Sequence, residues 1–309
     1  MRRLTVLALA ALACGEGTPR EPEALSLLGD SLYPPAMMSA RNDSLLAAAE
    51  AAYGRAPNNL DSVIWIGRRL AYVGRYREAI GAYTRGLEMH PDEPRLLRHR
   101  GHRWITVRRL GNAVQDLERA AALVEGQPDR VEEDGLPNAA GIPVSTLHTN
   151  IWYHLGLAQY LRGAYAEART AWERGLAVSP NPDMTVAFQY WLALTAKRTG
   201  DSAGVARILA SVDADAALLE NENYRRLLLY FRGDAPAHGL LPAEVTSLDD
   251  VTIAYGVAAW RMFDGNAGGA VPIFERILRA SDQWPAFGYI AAEAELAQAR
   301  MTHAGPDAP

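Results

Sequence analysis

Between Ile151 and Pro180 the chain reads IWYHLGLAQYLRGAYAEARTAWERGLAVSP, a run of aromatic and leucine positions broken by Gly156, Gly163, Ala168 and Gly175. The pattern predicts two consecutive helices. Glycine inside a helix costs roughly 0.5–1 kcal/mol relative to alanine, so glycines here need a packing reason. The same arrangement recurs upstream. In VIWIGRRLAYVGRYREAIGAYTRGLEMHP, Val63 to Pro91, the residues Gly67, Gly74, Tyr76, Ala79, Tyr83, Gly86 and Pro91 keep the mutual spacings of Gly156, Gly163, Tyr165, Ala168, Trp172, Gly175 and Pro180. A shift of 34 from Gly67, Ala79, Tyr83 and Gly86 lands on Gly101, Ala113, Leu117 and Ala120.

A period of 34 with small residues at these places resembles the tetratricopeptide repeat, and Trp152, Leu155 and Gly156 reproduce its leading W-x-x-L-G. The resemblance covers about Ser26 to Pro285. It implies an all-α fold, a right-handed solenoid of tetratricopeptide helical hairpins with a C-terminal capping helix. On this reading Gly156 faces Ala168, Gly175 leaves room for the next repeat's first helix, and Trp172 and Tyr83 fill the gaps beside those contacts. Pro91 and Pro180 end second helices, because proline lacks an amide donor and clashes with the preceding turn.

Repeats are expected at 26–59, 60–93, 94–127, 149–182, 186–219 and 251–284. The first is degenerate, since Pro34 and Pro35 break its opening helix. Residues 220–250 add an irregular helix around NYRRLLLYFRG and a loop from Asp234 to Pro242. After Pro285, AFGYIAAEAELAQARM reads as the cap, with Glu293, Glu295, Gln298 and Arg300 off its apolar face. The domains are then N-terminal repeats 26–127, an inserted loop 128–148, C-terminal repeats and cap 149–301, and a disordered tail 302–309. The insertion, PDRVEEDGLPNAAGIPVSTLH, has the length of loops that are often functional. A flap packed on the solenoid's flank is the other reading.

The N-terminus reads as an address. Arg2 and Arg3 precede the ten apolar residues LTVLALAALA, too few to cross a bilayer but suited to a signal peptide at 1–13. Cys14, the single cysteine, follows directly and resembles the lipid-bearing cysteine of a bacterial lipoprotein. Ala11 stands where leucine is commoner, and Ala-Leu-Ala is also an ordinary cleavage site. No aspartate follows Cys14, which favours the outer membrane facing the periplasm; secretion to the periplasm is the alternative. Residues 14–25, rich in Gly, Pro and Glu, read as a flexible tether.

Composition narrows the function. Among 309 residues, 49% hydrophobic and 22% charged content is that of a folded protein, and a net charge of −5 argues against nucleic-acid binding. Zinc-protease, CxxC, P-loop and dinucleotide signatures are missing, so no cofactor or metal is expected. Gly200-Asp201-Ser202-Ala203-Gly204 matches a nucleophile elbow in form, but helical sequence flanks it on both sides; Asp201 or Ser202 as a helix cap explains it. His99 and His102 have a spacing that suits a metal, without a third ligand in sequence, and such pairs usually sit on the surface. The chain therefore reads as non-catalytic.

Charge is the remaining signal. From Leu60 to Ala113 eleven arginines face five acids, a surplus of six positive charges in an acidic chain. The resemblance implies that first helices line a concave groove, and maps it to Arg68, Tyr72, Arg95, Arg98, His102, Asn150, Tyr153, Tyr160, Lys197 and Arg198. Guanidinium forks suit carboxylates, and tyrosine offers rigid amphipathic area. The expected partner is a protein or peptide, with an acidic or carboxylate-ended ligand as the narrower expectation. The bland alternative is that neighbouring acids neutralise these arginines. A structural or assembly role through repeat ends or the inserted loop is a second function, and a hydrolase built on His148, His154 and Ser202 a third.

Overall fold

The computed structural model describes residues 21–34 and 40–303. The expected signal peptide, Cys14 and residues 304–309 lie outside them. A short antiparallel hairpin, β1 (Ala24–Leu25) and β2 (Ser31–Leu32), precedes α1 (Ala40–Arg55). Five helical hairpins make the body of the molecule. They are α2 (Leu60–Tyr72) with α3 (Tyr76–Met89), α4 (Pro94–Thr106) with α5 (Leu110–Val124), and α6 (Leu147–Leu161) with α7 (Tyr165–Ala177). After them come α8 (Pro182–Arg198) with α9 (Ser202–Ala210) and α11 (Leu248–Phe263) with α12 (Ala267–Arg279). Between the last two hairpins stands α10 (Glu222–Arg232), and α13 (Phe287–His303) ends the array. No described helix is long and apolar enough to cross a membrane.

Each hairpin starts on a capped first helix. Asn59 and Asn181 accept the backbone N–H three residues on, Glu93 accepts that of Arg95, and Thr146 with Thr149 and Ser247 with Asp250 form reciprocal capping boxes. Pro94 and Pro182 open α4 and α8, where a missing N–H costs nothing. The turns into α3, α7, α9 and α12 pass through Gly74, Gly163, Gly200 and Gly265 in the left-handed region, at φ between +72° and +81°. The equivalent place before α5 is Arg108, at φ 60°, the one described non-glycine residue there.

The buried glycines make room for large side chains rather than for alanines. A Cβ on Gly156 would lie 2.2 Å from Trp172 Nε1, one on Gly67 2.3 Å from Tyr83, and one on Gly101 2.7 Å from Leu117. Gly175 does make room for the next first helix, since its Cβ would meet Phe188 of α8 at 2.2 Å. Ala168 is fully buried beside these contacts. Apart from the short β1–β2 hairpin, the described residues form the all-α solenoid of helical hairpins that the resemblance implies.

Three expectations change. The opening helix of the degenerate first repeat is replaced by the β1–β2 hairpin. The end of the expected tether is packed, with the Glu23 carboxylate accepting the Arg77 N–H at 2.8 Å and Ala24 buried. Part of the polar side of the capping helix does not face water: Glu293 and Glu295 on α13 are 1% and 5% exposed, while Gln298 is half-buried and Arg300 exposed as expected. The reason is curvature, because α13 packs on α6 as well as on α11 and α12. Arg108 donates from Nη2 and Nε to Glu293 at 2.7 and 3.0 Å, Leu27 N–H reaches Glu293 at 3.1 Å, and Trp284 Nε1 donates to the Tyr33 carbonyl at 2.6 Å. The C-terminal part of the array thus meets the N-terminal segment through Leu27 and Tyr33, and the second hairpin through Arg108.

Candidate functional site

The first helices α2, α4, α6 and α8 carry the predicted groove residues, and two other parts of the chain lie across them. One is the insertion. Its backbone pairs with the start of α6 through Glu132 N–H to Ser145 O at 3.1 Å, and this turns the Glu132 side chain onto α4 and α6. There Glu132 meets Arg98 at 3.0 Å and accepts the amide of Asn150, which also donates to Ser145 Oγ at 2.9 Å. Further on, Arg69 donates to the Gly135 carbonyl at 3.0 Å, and Gly135 lies so close to the Tyr72 hydroxyl that a Cβ would fall 2.0 Å from it. The insertion is thus a cover on the first helices. The second part is α13, whose Phe287 ring sits 5.2 Å from His102 and 5.5 Å from His154.

Between these covers and α10 and α11 is a cavity of about 450 Å³. Arg98, His102, Asn150 and Tyr153, four of the predicted groove residues, line it together. His154, singled out above only for a hydrolase, joins Tyr190, Trp191, Tyr224, Tyr255 and Phe287, which carry no sequence signal, to complete an aromatic wall. Their hydroxyls are ordered: Tyr153 shares a hydrogen bond with Tyr224 at 2.8 Å and accepts from Trp191 Nε1 at 2.9 Å. Burial, then the neighbouring Tyr224, pushes the Tyr153 phenol well above its ordinary range.

Two histidines form the floor, with rings 4.2 Å apart. Burial first, then Arg103 for His102 and Arg98 for His154, lowers both well below the ordinary imidazole value, so both are neutral at pH 7. His154 Nδ1 lies 2.6 Å from the Asn150 carbonyl; a carbonyl only accepts, so Nδ1 carries the proton and Nε2 is an acceptor. His99 and His102 do not sit on the surface. His99 is buried and stacked on Tyr83 at 5.7 Å. Among the described residues no group of three or more His, Cys, Asp or Glu could hold a metal.

The other predicted residues lie elsewhere. Arg68 donates to the Tyr72 hydroxyl at 3.3 Å, and both line a smaller compartment beside the cavity. Arg95 bridges Asp61 and Glu93 at 2.9 and 3.1 Å. Tyr160 is buried and accepts from Tyr255 at 3.1 Å. Lys197 pairs with Asp264 at 2.6 Å, and Arg198 reaches Glu295 at 2.6 Å between the rings of Tyr165 and Phe263. These four contacts tie helices together. Asp201 caps α9 by accepting Gly204 N–H at 2.8 Å, which accounts for the elbow-like run. No hydrogen bond joins Ser202 to a histidine among the described residues.

Comparison with known proteins gives partial similarities. The tetratricopeptide repeat family model matches residues 149–182. Similar solved structures include MamA, with 15% identity, 62% of this chain and 90% of that chain covered, and a TM-score of 0.43. A tetratricopeptide repeat protein from Parabacteroides merdae gives 16% identity, 82% and 92% coverage and a TM-score of 0.48. YrrB, described as a tetratricopeptide protein with an unusual peptide-binding site, gives 12%, 81%, 99% and 0.43. A search of curated proteins found no match.

Proposed function

We propose that the chain is a non-catalytic protein-binding scaffold that takes a side chain or chain end of its partner into the cavity on its inner face. The convergence of Arg98, His102, Asn150 and Tyr153 on one aromatic cavity supports this reading. Its size suits one large side chain, and a small number of placed polar groups on an aromatic wall is the usual make-up of a specific pocket. A partner with an acidic or carboxylate-ended segment would meet Arg98. We place the scaffold in the bacterial envelope, held by lipid on Cys14 at the outer membrane, with periplasmic secretion as the alternative. Mass spectrometry of the mature N-terminus tests that placement; an unmodified cysteine refutes it.

A second reading rests on the insertion. Val131, Leu136 and Ile142 are 61%, 62% and 54% exposed, which suits assembly through that segment. Affinity capture from an envelope extract separates the two. Thr252 lines the cavity from α11, and Thr252→Trp should block it and abolish capture, while a Val131→Ser, Leu136→Ser, Ile142→Ser variant captures normally. The opposite pattern supports assembly through the insertion. A discrete partner kept by both variants refutes both readings.

A further inference from the structure

Beneath the insertion is a second compartment of about 210 Å³, lined by Arg68 of α2, Arg98, His102 and Arg103 of α4, and Asp134 and Gly135 of the inserted segment. It touches the larger cavity only through Arg98 and His102, which line both. Its hydrogen bonding is unbalanced in both directions. Arg98 Nε is buried without an acceptor, and Asp134 Oδ2 is buried without a donor. Arg103 lies against the Tyr76 ring, 5.7 Å from its centroid, and no described group accepts a hydrogen bond from it. Arg68 hydrogen-bonds to the Tyr72 hydroxyl and lies over the Trp65 ring, 4.5 Å from its centroid, with no carboxylate paired to it among the described residues.

Charge makes the same point. Arg68, Arg98 and Arg103 line the compartment with one carboxylate, Asp134, and the neighbouring Glu132 is spent on Arg98 and Asn150. The nearby His99 and His102 are neutral through burial. One positive charge stays without a counter-charge even with both carboxyls ionised. Water can satisfy an orphaned N–H or carboxylate oxygen, but it does not neutralise a guanidinium. A ligand that answers the whole list is an anion that accepts from several N–H forks and also carries a proton to give. Near neutral pH phosphate does both: its bare oxygens accept from arginine, and its P–OH donates.

We propose that this compartment binds a protonated phosphate group, with Arg68, Arg98 and Arg103 donating to its oxygens and its hydroxyl donating to Asp134 Oδ2. Sulfate has the same shape but no proton, so Asp134 repels it. Asp134 is thereby the selectivity residue, and Arg103 the cation left free for the ligand. This site stands apart from the proposed partner pocket, since neither Arg103 nor Asp134 lines the larger cavity.

The test is calorimetric titration of the mature chain at pH 6.5 in buffer free of both anions, with inorganic phosphate, sulfate and phenyl phosphate as probes. Phosphate should bind one site at least tenfold more tightly than sulfate. Arg103→Gln should weaken phosphate at least tenfold while keeping the wild-type helical signal, and Arg103→Lys, which keeps the charge, should fall between. Asp134→Asn should erase the preference over sulfate, because an amide can donate to it. Phenyl phosphate, whose second ionisation lies at roughly 6, is compared with phosphate at about pH 5.5, where both carry a P–OH; tighter binding there identifies an esterified ligand reaching toward the aromatic cavity, and weaker binding identifies the free ion. No phosphate binding by the wild-type chain, equal affinity for sulfate, or a folded Arg103→Gln protein with undiminished affinity overturns the proposal.

Discussion

Replacing Arg108 by glycine removes a conformational penalty and an ion pair in one step, and the two effects have opposite signs. Arg108 stands where the other hairpin turns have glycine, at φ 60°. A left-handed residue with a Cβ costs about 1–2 kcal/mol, which glycine returns. Against that, the Arg108 and Glu293 side chains are 3% and 1% exposed, and Arg108 also donates to the Trp284 carbonyl at 2.8 Å and to the Thr106 carbonyl. Removing one partner of a buried pair costs about 3–5 kcal/mol, because the other charge stays buried and unpaired. The balance is a net loss of about 1–4 kcal/mol for Arg108→Gly. Urea unfolding followed by far-ultraviolet circular dichroism gives the number. Glu293→Leu in the Arg108→Gly background should recover part of the loss, since no isolated charge then remains, although the Leu27 N–H loses its acceptor. An Arg108→Gly protein as stable as wild type would refute the idea that this pair holds the C-terminal helix on the second hairpin.

Three further outcomes are expected. Gly156→Ala should destabilise by about 1–3 kcal/mol despite better helix propensity, because its Cβ meets the Trp172 ring at 2.2 Å. Gly81→Ala, also in a helix but with nothing nearer than an Arg85 nitrogen at 3.5 Å, should stabilise by about 0.5–1 kcal/mol; thermal melts of both read the contrast. His99, His102 and His154 are held neutral mainly by burial, with Arg98, Arg103 and Arg68 adding repulsion, so their folded pKa lies below the unfolded value near 6.5. Stability should be flat above about pH 7.5 and fall as pH drops through 6.5, by at most about 1.4 kcal/mol per histidine at pH 5.5; the raised carboxyls of Asp134, Glu220 and Glu295 oppose it. Urea midpoints at pH 7.5 and 5.5, for wild type and for His102→Phe, measure it, and a wild-type midpoint unchanged or higher at pH 5.5 contradicts the burial argument.

The hairpins were legible because their signal is local. A glycine facing a ring within one hairpin, such as Gly67 with Tyr83, recurs at a fixed interval and needs no knowledge of overall shape. The cavity was half legible for the same reason. Arg98, His102, Asn150 and Tyr153 occupy inner positions of first helices, which the repeat register assigns directly. Tyr224 and Phe287 come from α10 and α13, outside any hairpin, so no register places them. Glu132 comes from the insertion, where composition suggests only a solvated acidic run.

What the register does not carry is the closure, and closure changes the meaning of charge. An open array would leave Arg198 and Lys197 facing water, where exposed pairs contribute little. Here Arg198 meets the buried Glu295 on a helix 97 residues later, and Arg108 meets Glu293 at a separation of 185. Both acids were legible only as the polar face of a cap. One irregularity pointed at the fold-back: Arg108 interrupts a series of turn glycines, and a residue that tolerates a left-handed backbone for its side chain's sake has a partner worth the strain. The arginine surplus between Leu60 and Ala113 therefore divides by what each guanidinium meets. Arg95, Arg100 and Arg108 are taken up by carboxylates of the chain itself, while Arg103 and the Nε of Arg98 are not. It is this unmatched remainder, rather than the total charge, that selects for an anionic ligand.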